Sequence, residues 1–213
     1  MKKLSRRDFF RFAAVYAGSV VLSSCSKKNE SFTTTKSERL IAKLNPGESA
    51  VVKNISRDKI MSQLDRKVNL YMDISNNCAQ TSFLALKEQF DLDNGSILKA
   101  LTPLPGIAER GETCGAVVGS LMALGLVYGR DRLYDRVGYH ASLQPARTFC
   151  DLFEHDLGST MCGDILESQF GKRFNLADST DLAEFRASGA TTICSGVVRK
   201  AVRIAAELIL DKL

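Results

Sequence analysis

The chain has few of the residues and motifs that mark common enzymes. Its only histidines are His140 and His155, and it contains no histidine-based metal motif, phosphate-binding loop or hydrolase nucleophile elbow. None of its six cysteines forms a C-x-x-C pair or a C-x-x-C-H haem-attachment sequence. Strong two-residue alternation of apolar and polar side chains is also missing, which argues against strands. A surface or core role is expected for both histidines.

Positive charge is concentrated at the start of the chain. The whole sequence carries a net charge of +5, and residues 1–24 contain five cations and one acid, a net of +4. The remainder therefore carries a net charge of about +1. A domain that is almost neutral lacks the electrostatic footprint of a nucleic-acid-binding protein, so no nucleic-acid partner is expected.

The first 24 residues resemble an export signal. Arg6 and Arg7 stand in a run typical of a twin-arginine signal, and the apolar stretch that follows, residues 12–22, is too short to span a bilayer comfortably. Small residues precede Cys25, as in a bacterial lipobox, so Cys25 is the expected lipidation site. The alternatives are an uncut signal anchor or cleavage without lipid.

This signal has consequences for localisation. It predicts export by the twin-arginine machinery, which carries folded proteins, and a membrane-anchored product facing the periplasm or the cell exterior. Residues 25–45 are polar and are expected to form a flexible tether. Residues 46–213 are long enough to form one domain with a hydrophobic core.

Helical periodicity dominates that domain. Apolar residues recur mostly three and four positions apart, which predicts an all-α, compact bundle of six to eight helices. Residues 114–127 are apolar nearly all round and predict a buried helix, and Pro145 is expected to kink or split a helix over residues 131–155. Further helices are predicted over residues 55–74, 79–90, 162–170, 181–187 and 196–213.

Four cysteines share one expected setting. Each lies at the predicted start of a helix: Cys78, Cys114, Cys162 and Cys194. Unpaired N–H groups and partial positive charge at such positions favour the thiolate, which binds metals and attacks disulfides. Cys150 instead lies within a predicted helix between aromatic residues, where cysteine is usually a small core residue.

The segment around Cys114 resembles the C_GCAxxG_C_C family, which is named for this cysteine pattern. The resemblance covers about residues 67–213, and it implies a redox-active protein in which the same four cysteines form the site. It also implies that residues near Cys114 surround any cofactor: Arg110, Gly111, Glu112, Thr113, Gly115 and Gly119. The family's loop before this cysteine is usually richer in glycine than residues 102–109 are here.

Three interpretations of the four cysteines stand side by side. The first is a metal centre, most plausibly an iron–sulfur cluster that transfers electrons to a redox partner, with zinc as another metal that four thiolates hold. The second is a pair of disulfides that staple a structural or binding domain without a cofactor. The third is a thiol–disulfide oxidoreductase. A site shared across a homodimer would leave the same pattern in the sequence.

Overall fold

The computed structural model describes residues 55–92 and 95–213. The predicted signal peptide, the lipidation site at Cys25 and the predicted tether lie outside the described residues. Nine helices occupy the described part, so the all-α prediction is confirmed, with one helix more than the upper limit expected. They are α1 Arg57–Ser75, α2 Cys78–Phe90, α3 Gly95–Ala100, α4 Gly106–Glu109, α5 Gly115–Tyr128, α6 Arg136–Leu157, α7 Cys162–Phe170, α8 Ser179–Ala187 and α9 Ala190–Leu210.

Polar contacts fix an antiparallel register between α1 and α9. Arg203 Nε donates to Asp65 Oδ1 at 3.0 Å, and one turn earlier on α9 the Nη1 atom of Arg199 donates to Asn69 Oδ1 at 2.6 Å. Arg57 Nη2 donates to Asp211 Oδ1 at 2.8 Å at the far end of the pair. Since each step along α9 is matched by an equal step back along α1, Cys194 lies level with the last turn of α1.

A second register aligns α5 with α9 in parallel. The hydroxyl of Tyr128 donates to the carbonyl of Leu208. Cys114 precedes Tyr128 by as many residues as Cys194 precedes Leu208. Because an α-helix rises 1.5 Å per residue, the two cysteines come to the same level at the other end of the pair. The amino-terminal ends of α5 and α9 therefore share one end of the bundle.

Two clusters of apolar side chains fill the interior. The larger unites α1, α2, α5, α6 and α9, with Phe83, Phe149 and Phe153 among its fully buried members. The smaller is built around Leu166, Phe174, Phe185 and Ala190. Cys162 and Cys194 pack against both clusters, so their thiols lie where the two meet.

Glycines bring α2 and α5 unusually close together. A Cβ atom at Gly119 would lie 2.1 Å from Ser82 Oγ and 2.2 Å from the Ala79 carbonyl oxygen. A Cβ atom at Gly115 would lie 2.4 Å from Cys78 Sγ. Such distances are too short for a real side chain, so both positions require glycine. The predicted role of these glycines in close helix packing is confirmed.

Two predicted helix boundaries are wrong. The prediction that Pro145 could split residues 131–155 fails, because α6 runs unbroken from Arg136 to Leu157 with the proline inside it. The ring removes the N–H that would bond to Ala141, but Ala141 is exposed, so water can satisfy its carbonyl. The last helix begins at Ala190 rather than 196, because the fully buried Ala190 anchors a first turn that its β-branched neighbours disfavour.

None of the helices in the described part of the chain combines the length and the apolar character needed to cross a bilayer.

The tight contact of α2 with α5 generates a prediction for unfolding. Gly119→Ala should lower the free energy of unfolding by about 1–3 kcal/mol, because the added methyl group overpacks the contact with Ala79 and Ser82. Gly125→Ala is the matched control, since a Cβ atom there meets nothing within 4 Å. Because alanine has a better helix propensity than glycine, the Gly125→Ala variant should be up to about 1 kcal/mol more stable than the wild type. Chemical denaturation followed by circular dichroism measures both, and equal effects would contradict the close-packing account.

Candidate functional site

Three of the four cysteines stand at helix starts, as predicted, and the fourth does not. Cys78 is the first residue of α2, after Asn77, whose side chain caps the helix by accepting from Gln80 N at 3.0 Å. Cys114 is itself the N-cap of α5, and Cys162 is the first residue of α7. Cys194 lies in the second turn of α9, because that helix starts at Ala190. Its expected helix-start setting is therefore wrong, although its level in the bundle brings it to the same end.

Backbone hydrogen bonds join the segment before Cys114 to the segment before Cys162. Cys114 N donates to the Thr160 carbonyl at 2.8 Å, and Cys162 N donates to the Glu112 carbonyl at 2.7 Å. Thr113 and Met161 form an isolated antiparallel bridge between these bonds. The two segments thus run past each other as a short ladder, which fixes Cys114 and Cys162 side by side.

A left-handed turn closes one side of the site. Gly106, Ile107, Ala108 and Glu109 have φ values of 50°, 48°, 58° and 62°, and together they make up α4. A side chain in this conformation costs about 1–2 kcal/mol per residue, yet three of the four residues carry one. Hydrogen bonds hold the turn: Ala108 N donates to the Pro103 carbonyl and Glu109 N to the Pro105 carbonyl, each at 2.8 Å.

This turn touches the cysteines directly. A Cβ atom at Gly106 would lie 3.3 Å from Cys162 Sγ, and one at Gly115 would lie 3.1 Å from Pro105 Cα. The turn therefore packs between Cys162 and the start of α5. Strained backbone of this kind is typical of functional sites. Glycine adopts left-handed backbone without a Cβ penalty, which is the physical reason for the glycine at Gly106.

Cys78 and Cys114 form the most strongly coupled pair. Each thiol shifts the pKa of the other, and the Sγ atom of Cys78 lies over Gly115, the residue that follows Cys114. Cys114 is only 5% exposed, whereas Cys78, Cys162 and Cys194 are partly exposed. All five described cysteines are free thiols.

The surroundings of this pair shift the pKa values of the two thiols in opposite directions. The hydrogen bond from Cys78 lowers the pKa of Cys114, and the backbone N–H groups of Ala116 and Val117 add to the effect, outweighing burial. These N–H groups face the sulfur without forming a cap of normal hydrogen-bond geometry. Donating to Cys114 raises the pKa of Cys78, as do burial and the neighbouring thiols. Cys114 is therefore the more acidic thiol of the pair and Cys78 the less acidic one.

Cys162 and Cys194 complete the cluster as protonated thiols. Burial raises the pKa of Cys162 to about 12, with smaller contributions from Cys114 and Cys194. Burial likewise raises the pKa of Cys194 to about 12, assisted by the charge of Cys114. Cys114 contributes to the pKa shift of each of the other three thiols, so the fold brings all four predicted cysteines into one electrostatic environment.

Some residues expected around the site contribute backbone rather than side chain. Arg110 Nε pairs with Glu112 Oε1 at 2.9 Å, and the Arg110 side chain is 71% exposed. The carbonyl of Gly111 accepts from Gly163 N at 2.8 Å, beside the bond from Cys162 to Glu112. These residues hold the ladder together, and neither charged side chain contributes to the pKa shift of any cysteine.

Cys150 stands apart, as predicted. It lies in α6 against the larger core cluster, and burial raises its pKa with help from Glu154 and Asp151. It contributes to the pKa shift of none of the other four cysteines.

The sequence interpretation missed two structural residues of the site, Gly106 and Gly163. A Cβ atom at Gly163 would lie 3.1 Å from the Gly111 carbonyl oxygen, so this glycine lets the ladder close. A signal was present: Cys162-Gly163 repeats the Cys114-Gly115 pair. The position of Gly106 between Pro105 and a run of ordinary residues gave no such indication.

A bound metal ion requires several ligating side chains placed around one point. In residues 55–92 and 95–213, no group of three histidine, cysteine, aspartate or glutamate side chains is placed to hold one. Four thiols are nevertheless the donor set that iron–sulfur clusters and zinc use. The thiols as they stand do not fit a bound ion, and the metal centre stays a prediction.

The left-handed turn predicts opposite effects for one substitution at two exposed alanines. Ala108→Gly should leave the free energy of unfolding unchanged or raise it by up to about 1 kcal/mol, because glycine adopts φ of 58° without strain. Ala183→Gly, in the middle of α8, should lower it by about 1 kcal/mol. Denaturant titration of both variants measures the difference, and equal destabilisation would show that the turn stores no strain.

The unequal pKa values predict selective alkylation. Labelling of the reduced protein by iodoacetamide should rise for Cys114 at a lower pH than for an ordinary thiol, since a lowered pKa increases the thiolate fraction. Cys162 and Cys194, with pKa values of about 12, should stay almost unlabelled at pH 8. Burial lowers the labelling rate at every pH but does not move the midpoint of its pH dependence. The measured quantity is therefore the labelling rate against pH, determined for each cysteine by mass spectrometry.

Cys78→Ala tests the cause of that shift. Loss of the thiol donor should weaken the effect and move the Cys114 profile to higher pH, whereas Cys150→Ala should leave it in place. A Cys114 profile that matches the denatured protein would contradict the lowered pKa of Cys114.

Residues 76–208 match a family model described as "Putative redox-active protein (C_GCAxxG_C_C)". No curated protein and no solved structure matches the chain. The match begins just before Cys78, ends after Cys194 and spans more than half of the chain, so all four clustered thiols lie inside it. The chain belongs to the C_GCAxxG_C_C family.

Proposed function

We propose that this protein transfers electrons through a dithiol–disulfide centre formed by Cys78 and Cys114. The observation that carries the proposal is the position of Cys78 Sγ over Gly115, the residue that follows Cys114, together with the effect of each thiol on the pKa of the other. A pair that already interacts needs little movement to form a disulfide. Cys162 and Cys194 then raise the pKa of Cys78, and they do not form the first disulfide bond.

The surrounding helices support a negative charge at this place. The starts of α2, α5 and α7 carry Cys78, Cys114 and Cys162, and α9 runs parallel to α5 from the same end. Each helix start contributes partial positive charge, which favours a thiolate. The ladder between the segments before Cys114 and Cys162 holds these ends in position.

The chemistry proposed is thiol–disulfide exchange with a partner that carries a disulfide. The Cys114 thiolate attacks one partner sulfur, forms a mixed disulfide and releases the other partner sulfur as a thiolate. Cys78 loses its proton and attacks Cys114, which forms the Cys78–Cys114 disulfide and releases the second partner thiolate. Two electrons thereby move to the partner, and the reverse sequence reduces the pair again. The 5% exposure of Cys114 directs the partner's disulfide to enter beside Cys78.

A four-thiolate iron–sulfur centre is the second candidate function. The observation that favours it is the gathering of Cys78, Cys114, Cys162 and Cys194 at one end of the bundle. These four residues would hold the cluster, and it would supply one-electron transfer. Binding would require Cys78 and Cys114 to exchange their mutual contact for contacts with iron. The same four residues would bind zinc without redox chemistry.

The proposed place of action follows from the sequence signals. Export by the twin-arginine route and lipidation at Cys25 would anchor the domain to a membrane, facing the periplasm or the cell exterior. A redox partner would then share that compartment. Oxidising conditions there are compatible with a centre that cycles through a disulfide.

Anaerobic purification followed by controlled oxidation tests the proposal. The reduced protein should be colourless, contain no stoichiometric iron or sulfide, and lose two thiols on mild oxidation. Peptide mapping by mass spectrometry should then identify one crosslink, between Cys78 and Cys114, because these thiols influence each other's pKa and Cys78 Sγ lies over the residue that follows Cys114. Visible absorbance with stoichiometric iron and sulfide would overturn the dithiol proposal in favour of the cluster.

Matched serine variants locate the chemistry. Cys114→Ser should abolish the reversible loss of two thiols, and Cys150→Ser should leave it intact, because Cys150 lies outside the cluster. A first crosslink between Cys162 and Cys194 would contradict the assignment of the reactive pair.

A further inference from the structure

Large apolar and aromatic side chains protrude from one short segment of the described chain. Leu133, Tyr134 and Val137 are 88%, 76% and 82% exposed, and Tyr139 is 43% exposed. They lie at the start of α6 and in the loop that precedes it. Residues of this size are rarely left in water together without a binding role. We call residues 130–140 the apolar tip.

Arginines accompany these apolar groups. Arg130, Arg132 and Arg136 lie in the same segment, against Asp131 and Asp135. The carboxylate of Asp135 is committed to the backbone, because it caps α6 by accepting from Gly138 N at 2.8 Å. The tip therefore combines a net positive charge with an apolar surface.

A groove of about 520 Å³ lies within the tip. Two arginines, two tyrosines and a histidine line it with Leu133: Arg130, Arg136, Tyr134, Tyr139 and His140. The guanidinium of Arg130 stacks 4.9 Å from the centre of the Tyr139 ring, and Arg132 Nη1 donates to the Tyr134 hydroxyl at 3.2 Å. Guanidinium and hydroxyl donors around an open groove suit an anionic phosphate group.

The tip lies at the end of the bundle where the described chain begins. Arg57, in the first turn of α1, pairs with Asp211 after α9, and Lys212 donates to the carbonyl of Val127 near the end of α5. The loop of the tip follows α5 directly. The thiols occupy the opposite end of α5, about 21 Å away for a 14-residue helix.

We infer that the apolar tip contacts a membrane surface, with Leu133, Tyr134 and Val137 at the lipid interface and the groove binding an anionic phospholipid headgroup. Tyrosine and arginine beside exposed aliphatic groups are typical of such interfaces, and arginines add attraction to anionic lipids. The inference rests on the proposed membrane location but not on the thiol chemistry.

This contact would decide how the domain is oriented. The tether expected over residues 25–45 can reach roughly 70 Å when extended, so a lipid at Cys25 would leave the domain free to turn. Contact through the tip would hold the thiol end away from the bilayer. The site would then face partners in the aqueous compartment.

A single tryptophan tests the inference, because the chain contains none. Full-length Leu133→Trp is mixed with vesicles of phosphatidylcholine and phosphatidylglycerol whose acyl chains are partly brominated. Emission should shift to shorter wavelength and be quenched at least twofold, since the indole would enter the interface. Leu152→Trp, at a 46% exposed leucine in the second half of α6, is the control and should change little.

Charge variants and lipid composition separate the alternatives. Adding Arg132→Gln and Arg136→Gln to Leu133→Trp should reduce the quenching, as should high salt or pure phosphatidylcholine. An unquenched indole in the Leu133→Trp variant, on vesicles that carry the bound protein, would overturn the contact while leaving membrane location intact. A shift that depends on protein concentration without vesicles would also overturn it, in favour of contact between copies. Absence of the full-length protein from the membrane fraction of cells would instead refute the location.

Discussion

The close packing of α2 against α5 is the constraint on which the rest of the site depends. Gly115 and Gly119 remove the side chains that would keep these helices apart, so the backbone of one approaches the other within van der Waals contact. Cys78 is the first residue of α2, and Cys114 is the N-cap of α5. The close approach of the two backbones therefore brings these two cysteines together. The glycine spacing after Cys114 is a packing requirement with a chemical consequence.

Strain and order are combined around this contact. The left-handed turn of Gly106–Glu109 is unfavourable by itself, yet it is clamped by hydrogen bonds and packs against Cys162. The ladder to the segment before Cys162 satisfies backbone groups that would otherwise be buried without partners. The turn keeps this unfavourable backbone conformation because any other conformation would lose the neighbouring contacts and have a higher free energy.

The bundle has two chemically different ends. Parallel α5 and α9 place Cys114 and Cys194 at one end, and Tyr128 and Leu208 at the other. Exposed pairs such as Arg203 with Asp65 fix the register of α1 more than they add stability, since surface ion pairs are worth little. Separation of a buried thiol cluster from an exposed apolar tip follows from this arrangement. The proposed redox centre and the proposed membrane-contacting surface would then operate without interfering with each other.

Sequence alone determined the helical class, most helix positions and which four cysteines the fold brings to one end of the bundle. Periodicity and capping are local, so α2 and α7 could be predicted to within a residue, and Asn77 could be recognised as a cap. The start of α9 could not, because the burial of Ala190 against a distant cluster overrides the poor helix propensity of the residues that follow. For the same reason Cys194 is brought to the site by the register of a whole helix rather than by a helix start.

Tertiary structure alone decided how the four thiols differ. Nothing local distinguishes Cys114 from Cys162, since both precede glycine at a helix start. The groups that pack against each sulfur set its pKa. At Cys114 these are the Cys78 thiol and two N–H groups, whereas at Cys162 and Cys194 burial dominates. The left-handed turn is likewise a product of its neighbours, because Ile107 and Ala108 have no intrinsic preference for it. Local sequence selects the residue types, and long-range contacts assign their roles because charge and burial depend on what surrounds each atom.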